Sequence, residues 1–510
     1  MGQWLMVLLY FSLVAWYSLR VVFSRLSRNV DIALSAGYIS IANIPILTAL
    51  ANKNTILTKL LGISHESLNY LHQASGIATA FTATVHTVLF SLVWLKFGNF
   101  QRFILLPFVI YGVIALILFI VLCLSSINYV RRKFYESFLV IHIVAFALAV
   151  VFTALHFSED RVYLFYVFSG FLLFLLDRAI RTFRAIYYNV VLWIRCYRSE
   201  DKAQLDTVQL MPGNTLRLEF FKPMKWLPGQ HVFISMSDVA FGQWHPFTIT
   251  SIYESIEDST PERPIVLVIQ ARDGFTKTLY ERALADCSFK VNLGILVDGP
   301  YGTYHPMHNF ETVVLIAGGT GAAFTIPILS DLIRRKNQND PKLLSTKNVQ
   351  FVWSIKRRAH ITWFVEELRK CTLLSPEGFL NVRIHLTAEN TDTKSTGSLK
   401  EDVFDETSAL RSSITQPKSY SSIQKATLDC SLTDLESEEF SDFQTYPHRP
   451  NLSGIIHEAT HIASQDIGVS VCGPLGLTKS TRQCISERNS FKTKAGITAG
   501  IYLHCESFEW

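Results

Sequence analysis

Residues 71–89 read LHQASGIATAFTATVHTVL, and no Asp, Glu, Lys or Arg interrupts them. His72 and His86 stand fourteen residues apart in this stretch. An α-helix climbs about 21 Å over fourteen residues and ends about 40° short of four turns. Both imidazoles therefore lie on nearly one helix face, one toward each side of a hydrocarbon layer about 30 Å thick. Residues 139–157, LVIHIVAFALAVVFTALHF, repeat the arrangement with His142 and His156. Ionisable groups inside a bilayer are costly, so four at a shared spacing point to a bound group rather than to packing.

The two segments belong to a series of six apolar stretches: Trp4–Phe23, Ile32–Leu50, Leu71–Leu95, Phe103–Leu124, Phe138–Phe157 and Val162–Leu176. Most reach the roughly 20 helical residues that cross a bilayer, and the sixth is short. The first reads as a span and not a signal peptide, because it lacks a basic leading region and a clear small-residue cleavage site. Arg131, Arg132 and Lys133 follow span four, and Arg178, Arg181 and Arg184 follow span six. Two crossings separate these clusters, so they share a side, and the positive-inside tendency makes it cytoplasmic. Arg20, Arg25 and Arg28 then fall on the far side, against that tendency. Either they have an outer role or the span count differs by one.

Spans three and five run in the same direction. His72 is thus expected to face His142 at one level, and His86 to face His156 at the other. No cysteine or carboxylate lies beside them, whereas zinc takes three or four ligands. A haem takes two axial ligands in an apolar pocket. Two bis-histidine haems fit best, and with both axial positions filled they suit electron transfer rather than oxygenase chemistry.

The remaining sequence reads as soluble α/β protein. The formal net charge of +5 over 510 residues gives no nucleic-acid surface. Eight cysteines without a C-x-x-C pair give neither a disulfide framework nor a zinc knuckle. From about 197 to 305 the pattern alternates: LRLEFF (216–221), HVFISM (231–236), PFTITS (246–251) and IVLVIQ (265–270) read as strands of a small β-barrel. His245-Pro246-Phe247-Thr248 opens one strand. Gly274-Phe275-Thr276 reads as a glycine turn into a short helix whose N-terminus suits a phosphate.

From Thr312 the pattern is strand (TVVLIA), glycine turn (Gly318-Gly319-Thr320-Gly321) and helix (AAFTIPILSDLIRR), the nucleotide-binding arrangement. The next strand, Val349–Ile355, ends at Lys356-Arg357-Arg358, and cations there suit the 2′-phosphate of NADPH. A late strand, Ile467–Val471, runs into Cys472-Gly473-Pro474. Residues from about 391 to 446 are rich in Ser, Thr, Asp and Glu and read as a disordered insertion.

The two histidine pairs, HPFT, GGTG, VCGP and the terminal Glu506-Ser507-Phe508-Glu509-Trp510 occur in one order. Together they resemble the fungal ferric-chelate reductases, within the ferric reductase and NADPH oxidase superfamily of flavocytochromes b. The resemblance implies a multi-domain membrane protein. A six-helix α transmembrane bundle (1–185) carries two haems b. A β-barrel FAD-binding domain (197–305) and an α/β Rossmann-like NADPH-binding domain (306–510), ferredoxin reductase-like and holding the 391–446 insertion, follow it. By the same resemblance His245, Pro246, Phe247, Thr248 and Ile249 lie beside the flavin, and Gly274, Phe275 and Thr276 near its pyrophosphate. NADPH falls to Gly318, Gly319, Thr320 and Gly321, with Lys356 and Arg357 at its 2′-phosphate. Cys472, Gly473 and Pro474 sit by the nicotinamide, and Trp510 stacks on the flavin. Cys472 and Trp510 are the expected catalytic residues. Two departures stand out. The core begins almost at Met1, without the outer domain and extra span of many fungal relatives. His448-Arg449-Pro450-Asn451 lacks the usual glycine before Arg-Pro, with Arg449 a further cofactor candidate.

The expected activity is electron transfer from NADPH through FAD and the haems to ferric or cupric chelates across a membrane. The alternative is a superoxide-generating NADPH oxidase. A non-enzymatic regulator would show lost haem ligands or a broken GGTG, and neither is seen. The expected partners are the chelates and NADPH, with no nucleic acid and no accessory subunit identified. The chain is expected in the plasma membrane, or alternatively an internal membrane (ER or vacuole), with its C-terminal domains cytosolic.

Overall fold

Hydrophobic runs in the first third and alternating patterns afterwards separate into two compact units, one before Ala185 and one from it onward. A computed structural model describes residues 12, 28–52, 65–191, 207–222, 224–253, 264–285, 294–338, 345–388, 443–494 and 500–506. The first apolar stretch, apart from Ser12, and Trp510 lie outside the described residues, as do residues 391–442 of the expected insertion.

The first unit is helical: α1 (Arg28–Ala51), α2 (His65–Lys96), α3 (Phe100–Ile104), α4 (Pro107–Ser125), α5 (Asn128–Lys133), α6 (Tyr135–His156) and α7 (Arg161–Ile186). Among the described residues α1, α2, α4, α6 and α7 are long and apolar enough to cross a membrane, and they coincide with stretches two to six. The sixth stretch was too short on apolar residues alone. α7 in fact runs for 26 residues. It carries its charge inside the helix, because buried Asp177 is bonded by the neighbouring Arg178 guanidinium.

α2 remains helical despite its threonines because their hydroxyls bond within the helix. Thr79, Thr82, Thr84 and Thr87 donate to the carbonyls of Ser75, Ala78, Ala80 and Ala83 at 2.7–3.0 Å. Small buried residues, Ala74, Ser75, Ala78 and Thr79, let α1 approach closely, and Ser40 Oγ donates to Thr79 O at 3.2 Å. The opposite flank stays bare: Phe81 is 67% exposed, beside exposed Ile77, Val88 and Leu92. Such a continuous apolar flank suits lipid rather than water.

The second unit begins with six strands: β1 (Thr207–Met211), β2 (Thr215–Phe220), β3 (His231–Ser235), β4 (His245–Thr248), β5 (Ile265–Gln270) and β6 (Leu296–Tyr301). They form two three-stranded antiparallel sheets, β1-β2-β5 and β4-β3-β6. One apolar core, including Leu216, Leu218, Val232, Ile234 and Leu267, fills the space between them. α8 (Phe275–Ala285) closes it with Phe275 and Leu279.

A third sheet follows, wholly parallel: β7 (Thr312–Gly318), β8 (Asn348–Ile355), β9 (Leu380–Leu386), β10 (Thr445–Tyr446), β11 (Ile467–Cys472) and β12 (Ile501–Glu506). Its order is β10-β9-β8-β7-β11-β12. β7 alternates between two cores. Val313, Leu315 and Ala317 pack against α9 (Ala322–Asn337) and α10 (Val365–Leu374). Val314 and Ile316 pack toward α11 (Leu452–Ile462) and α12 (Leu475–Lys494). Burial on both faces explains the unbroken apolar run. The described chain resumes at Phe443, near the end of the stretch read as an insertion. The Phe443 ring is buried in the core, and Thr445–Tyr446 pair with Ile384 and His385.

Glu311 locks the base of β7. Its buried carboxylate accepts from Lys347 Nζ at 2.8 Å, from the Ser464 hydroxyl at 2.8 Å and from the Ser464 and Gln465 amides at 2.8 and 2.6 Å. Lys347 and these hydrogen bonds hold its carboxyl down at about 2.

Candidate functional site

Within the first unit the four histidines pair by level. His72 and His142 have ring centroids 6.4 Å apart, and His86 and His156 6.3 Å apart. A single metal joining two imidazoles from opposite sides needs about 6.2 Å between ring centres. That sum comes from metal–nitrogen bonds of about 2.0 Å and ring radii of about 1.1 Å. Every Nδ1 is engaged. It bonds Leu47 O for His72 (3.0 Å), Ala33 O for His86 (2.8 Å) and Phe108 O for His156 (2.6 Å). His142 Nδ1 meets Ser126 Oγ at 3.3 Å, and that hydroxyl donates onward to Leu122 O at 2.7 Å. A donor bond at Nδ1 fixes the tautomer and leaves Nε2 as the metal-binding nitrogen. Among the described residues no group of three or more His, Cys, Asp or Glu could hold a metal ion. The ring spacing fits a group held by two imidazoles, as a bis-histidine haem would be.

Space for the imidazoles comes from two glycines that the sequence reading passed over. A Cβ on Gly37 would stand 2.6 Å from His86 Nδ1, and one on Gly112 2.7 Å from His156 Nδ1. Only their contact partners reveal them, since neither belongs to a motif.

In the second unit, β4 and the start of α8 come together. The His245 ring stacks on Phe275 with centroids 4.4 Å apart and planes within 19°. Gly274 (φ +55°) turns the chain into α8, and Thr276 Oγ1 accepts from Arg272 N at 3.0 Å. Pro246 and Phe247 are half-buried on β4 and Thr248 is buried. Ile249 follows Thr248 at the end of β4. Its side chain is 1% exposed within the apolar core, and its amide donates to Gln230 O at 3.0 Å.

The parallel sheet reverses its order between β7 and β11, and ligands bind at such a switch point beyond the strand ends. Gly318, Gly319, Thr320 and Gly321 leave β7 there, and Cys472, Gly473 and Pro474 leave β11. The two turns touch: a Cβ on Gly321 would lie 2.4 Å from Cys472 O. Lys356 and Arg357 follow β8 and are exposed. Two buried polar atoms at the same strand ends have no hydrogen-bond partner, Ser354 Oγ and His385 Nε2. The two residues are cross-strand neighbours, and Gly318 pairs with Ser354. Unpaired buried polar atoms are costly, and a polar ligand at the strand ends would satisfy them. The site therefore fits a dinucleotide. Arg449 is exposed beyond β10.

Cys472 is buried, and burial, with Glu506 nearby, pushes its thiol well above the usual range, so it is no ready nucleophile. Glu506 lies opposite Cys472 on β12. Burial pushes its carboxyl up to about 7. His504 Nε2 lies 3.0 Å from Glu506 Oε2, and burial brings that imidazole down to about 4. The His504 ring also stacks on His305 at 3.7 Å, and His305 Nδ1 meets Tyr502 Oη at 2.9 Å. This acid–imidazole cluster went unread in the sequence. Its only sequence signal is alternation in IYLHCE, which polar residues obscure.

Three family matches cover the chain in order: a ferric reductase like transmembrane component over residues 36–153, an FAD-binding domain over 201–305 and a ferric reductase NAD binding domain over 310–486. A probable cell surface ferric reductase of Aspergillus oryzae is 32% identical over 369 residues, 70% of this chain and 48% of that protein. Ferric reductase transmembrane component 4 of Saccharomyces cerevisiae is 26% identical over 87% of this chain and 58% of its own length. Ferric/cupric reductase transmembrane component 7 of the same yeast is 26% identical over 71% of this chain and 56% of its own. The chain thus spans about half the length of the curated relatives it matches. With a transmembrane component, an FAD-binding domain and an NAD-binding domain in that order, it belongs to the ferric reductase family.

Proposed function

We propose that this chain moves electrons from NADPH across a membrane to a ferric or cupric chelate, through FAD and two bis-histidine haems b. The observation that carries the reading is the spacing of the two imidazole pairs, 6.4 and 6.3 Å, at opposite ends of the same two helices. When bound, NADPH supplies a hydride, flavin divides its two electrons, and haem carries them singly.

Each protein group has a defined part. His72 with His142, and His86 with His156, would hold the haems, with Leu47, Ser126, Ala33 and Phe108 fixing ring tautomers. Gly318–Gly321 and Cys472-Gly473-Pro474 would admit the nucleotide at the switch point, and Lys356 and Arg357 would pair with a 2′-phosphate. His245, Pro246, Phe247, Thr248 and the Gly274–Thr276 turn would position the flavin, with Trp510 stacking against it. Residues 1–185, 197–305 and 306–510 would be the corresponding domains. Lys96 and Arg102, both exposed beyond the His86 end of α2, supply positive charge for an anionic chelate. The basic residues after α4 and within α7 support a cytosolic second unit, and the plasma membrane is the expected location.

The test is reconstitution of the full chain in vesicles with NADPH supplied to the second unit. Anaerobic reduction of a ferric chelate on the opposite side is the expected result. Superoxide formation without anaerobic metal reduction would replace this reading with an NADPH oxidase. In the same assay, joint replacement of Lys356 and Arg357 by alanine is expected to raise KM for NADPH about ten-fold or more, while NADH is little changed. Equal losses for both nucleotides would remove the 2′-phosphate role.

A further inference from the structure

The β1–β2 turn, Pro212-Gly213-Asn214, passes through the left-handed region at Gly213 (φ +75°) and Asn214 (φ +53°). It seats on the segment that follows β8. Trp363 Nε1 donates to Pro212 O at 2.8 Å. The His360 ring lies flat on Trp363, with centroids 4.3 Å apart and planes within 10°. A Cβ on Gly213 would stand 2.8 Å from His360 Nε2, so the turn rests directly on that ring. His360 and Trp363 are buried, and Trp363 shares an apolar core with Met211 of β1 and Val268 of β5. Arg217 of β2 adds an ion pair to Glu367 of α10 at 2.7 Å. A joint closed by burial, a hydrogen bond and an ion pair passes displacement on rather than absorbing it.

One side of this joint leads to Lys356 and Arg357, for His360 N donates to Arg357 O at 3.1 Å. The other side leads to Ala271, whose amide donates to Asn214 O at 2.8 Å. Ala271 opens the turn into α8, where Arg272 N donates to Thr276 Oγ1. Two stretches read as phosphate contacts, one for NADPH and one for FAD, are thus joined by consecutive contacts through one turn. We infer that Trp363 and His360 are positioning residues that couple a 2′-phosphate at Lys356 and Arg357 to the flavin pyrophosphate turn at Gly274–Thr276, through Pro212–Asn214. The inference rests on the proposed NADPH and FAD sites and goes beyond them by making each depend on the other. A 2′-phosphate that orders Lys356 and Arg357 steadies His360 and Trp363, and with them the turn that holds Ala271. Such coupling is reciprocal, so each ligand tightens the other by the same factor. A nucleotide without the 2′-phosphate would enter the crevice and leave the joint unmoved.

The test uses the purified full-length holo protein, with adenosine 2′,5′-bisphosphate as probe and 5′-AMP as its counterpart without the 2′-phosphate. FAD affinity, read from flavin fluorescence on dilution, is expected to rise about five-fold or more with the bisphosphate and not with 5′-AMP. Hydrogen exchange at the Ala271 amide is expected to slow under the same condition. Trp363→Phe keeps a ring against His360 and removes the bond to Pro212 O. It is expected to bind FAD and the bisphosphate singly as wild type does, and to lose the coupling. A merely structural role would weaken both single affinities instead. Gly213→Ala reaches the joint from the barrel side and is expected to give the same loss of coupling. If the bisphosphate binds and FAD affinity does not move, the inference fails while the nucleotide site stands. If the bisphosphate does not bind, the nucleotide site fails and the inference with it. Wild-type coupling in both variants would refute the route through the turn.

Discussion

His86→Leu is expected to remove about half of the haem absorbance and to bring reduction of a far-side acceptor to background. Leucine is close to histidine in bulk, so α2 keeps its packing while His156 loses its partner across 6.3 Å. The pair at His72 and His142 lies about 21 Å away along the helix and keeps its own geometry. Reduction of the flavin by NADPH, proposed for the second unit, is expected to be unchanged. Haem quantitation and vesicle transport measure the two effects separately. Gly37→Ala supplies an independent arm, since its new Cβ would stand 2.6 Å from His86 Nδ1 and push the ring from its place without deleting it. Full haem content in His86→Leu would refute the pairing.

Gly321→Ala is the second large expectation. The added methyl would lie 2.4 Å from Cys472 O and 2.7 Å from Cys472 C. Both are backbone atoms at the end of a central strand, so no rotamer change relieves the clash. The turns after β7 and β11 must part, or the helix behind them must shift. Overpacking of this kind costs about 1–3 kcal/mol. The same displacement deforms the crevice, so NADPH affinity is expected to fall about 100-fold or more, on the order of 3 kcal/mol. Calorimetric unfolding and NADPH titration of the full chain read the two losses. Wild-type affinity in this variant would place the nucleotide elsewhere.

The legible parts of the sequence were those where burial dictates pattern. β7 and β8 are covered on both faces, so their apolar runs announced them. The histidine pairs stood out because an apolar background makes four imidazoles conspicuous. β9 and β12 lie toward the edges of the sheet and carry Asn381, Arg383, His385, His504 and Glu506, which broke the apolar run. Arg383 is there to pair with Glu458 on α11, a partner 75 positions away. Ser354, His385, Gly37 and Gly112 were invisible for a related reason. Their roles are set by what the fold brings opposite them, and no local spacing records it. The length of α7 was misread because hydropathy counts Asp177 as a stop, whereas Arg178 accompanies it inside the helix.

The fourteen-residue interval makes α2 and α6 gauges of membrane thickness. Losing one residue between His72 and His86 would turn one ring about 100° about the axis and draw it about 1.5 Å closer, away from His156. Insertions and deletions can therefore accumulate in loops and in the second unit, but not within these two intervals. A descendant adapted to a thicker or thinner bilayer would have to change both helices together, in steps close to a whole turn. Length between the histidines is thus a heritable dimension of the protein, as constrained as the histidines themselves.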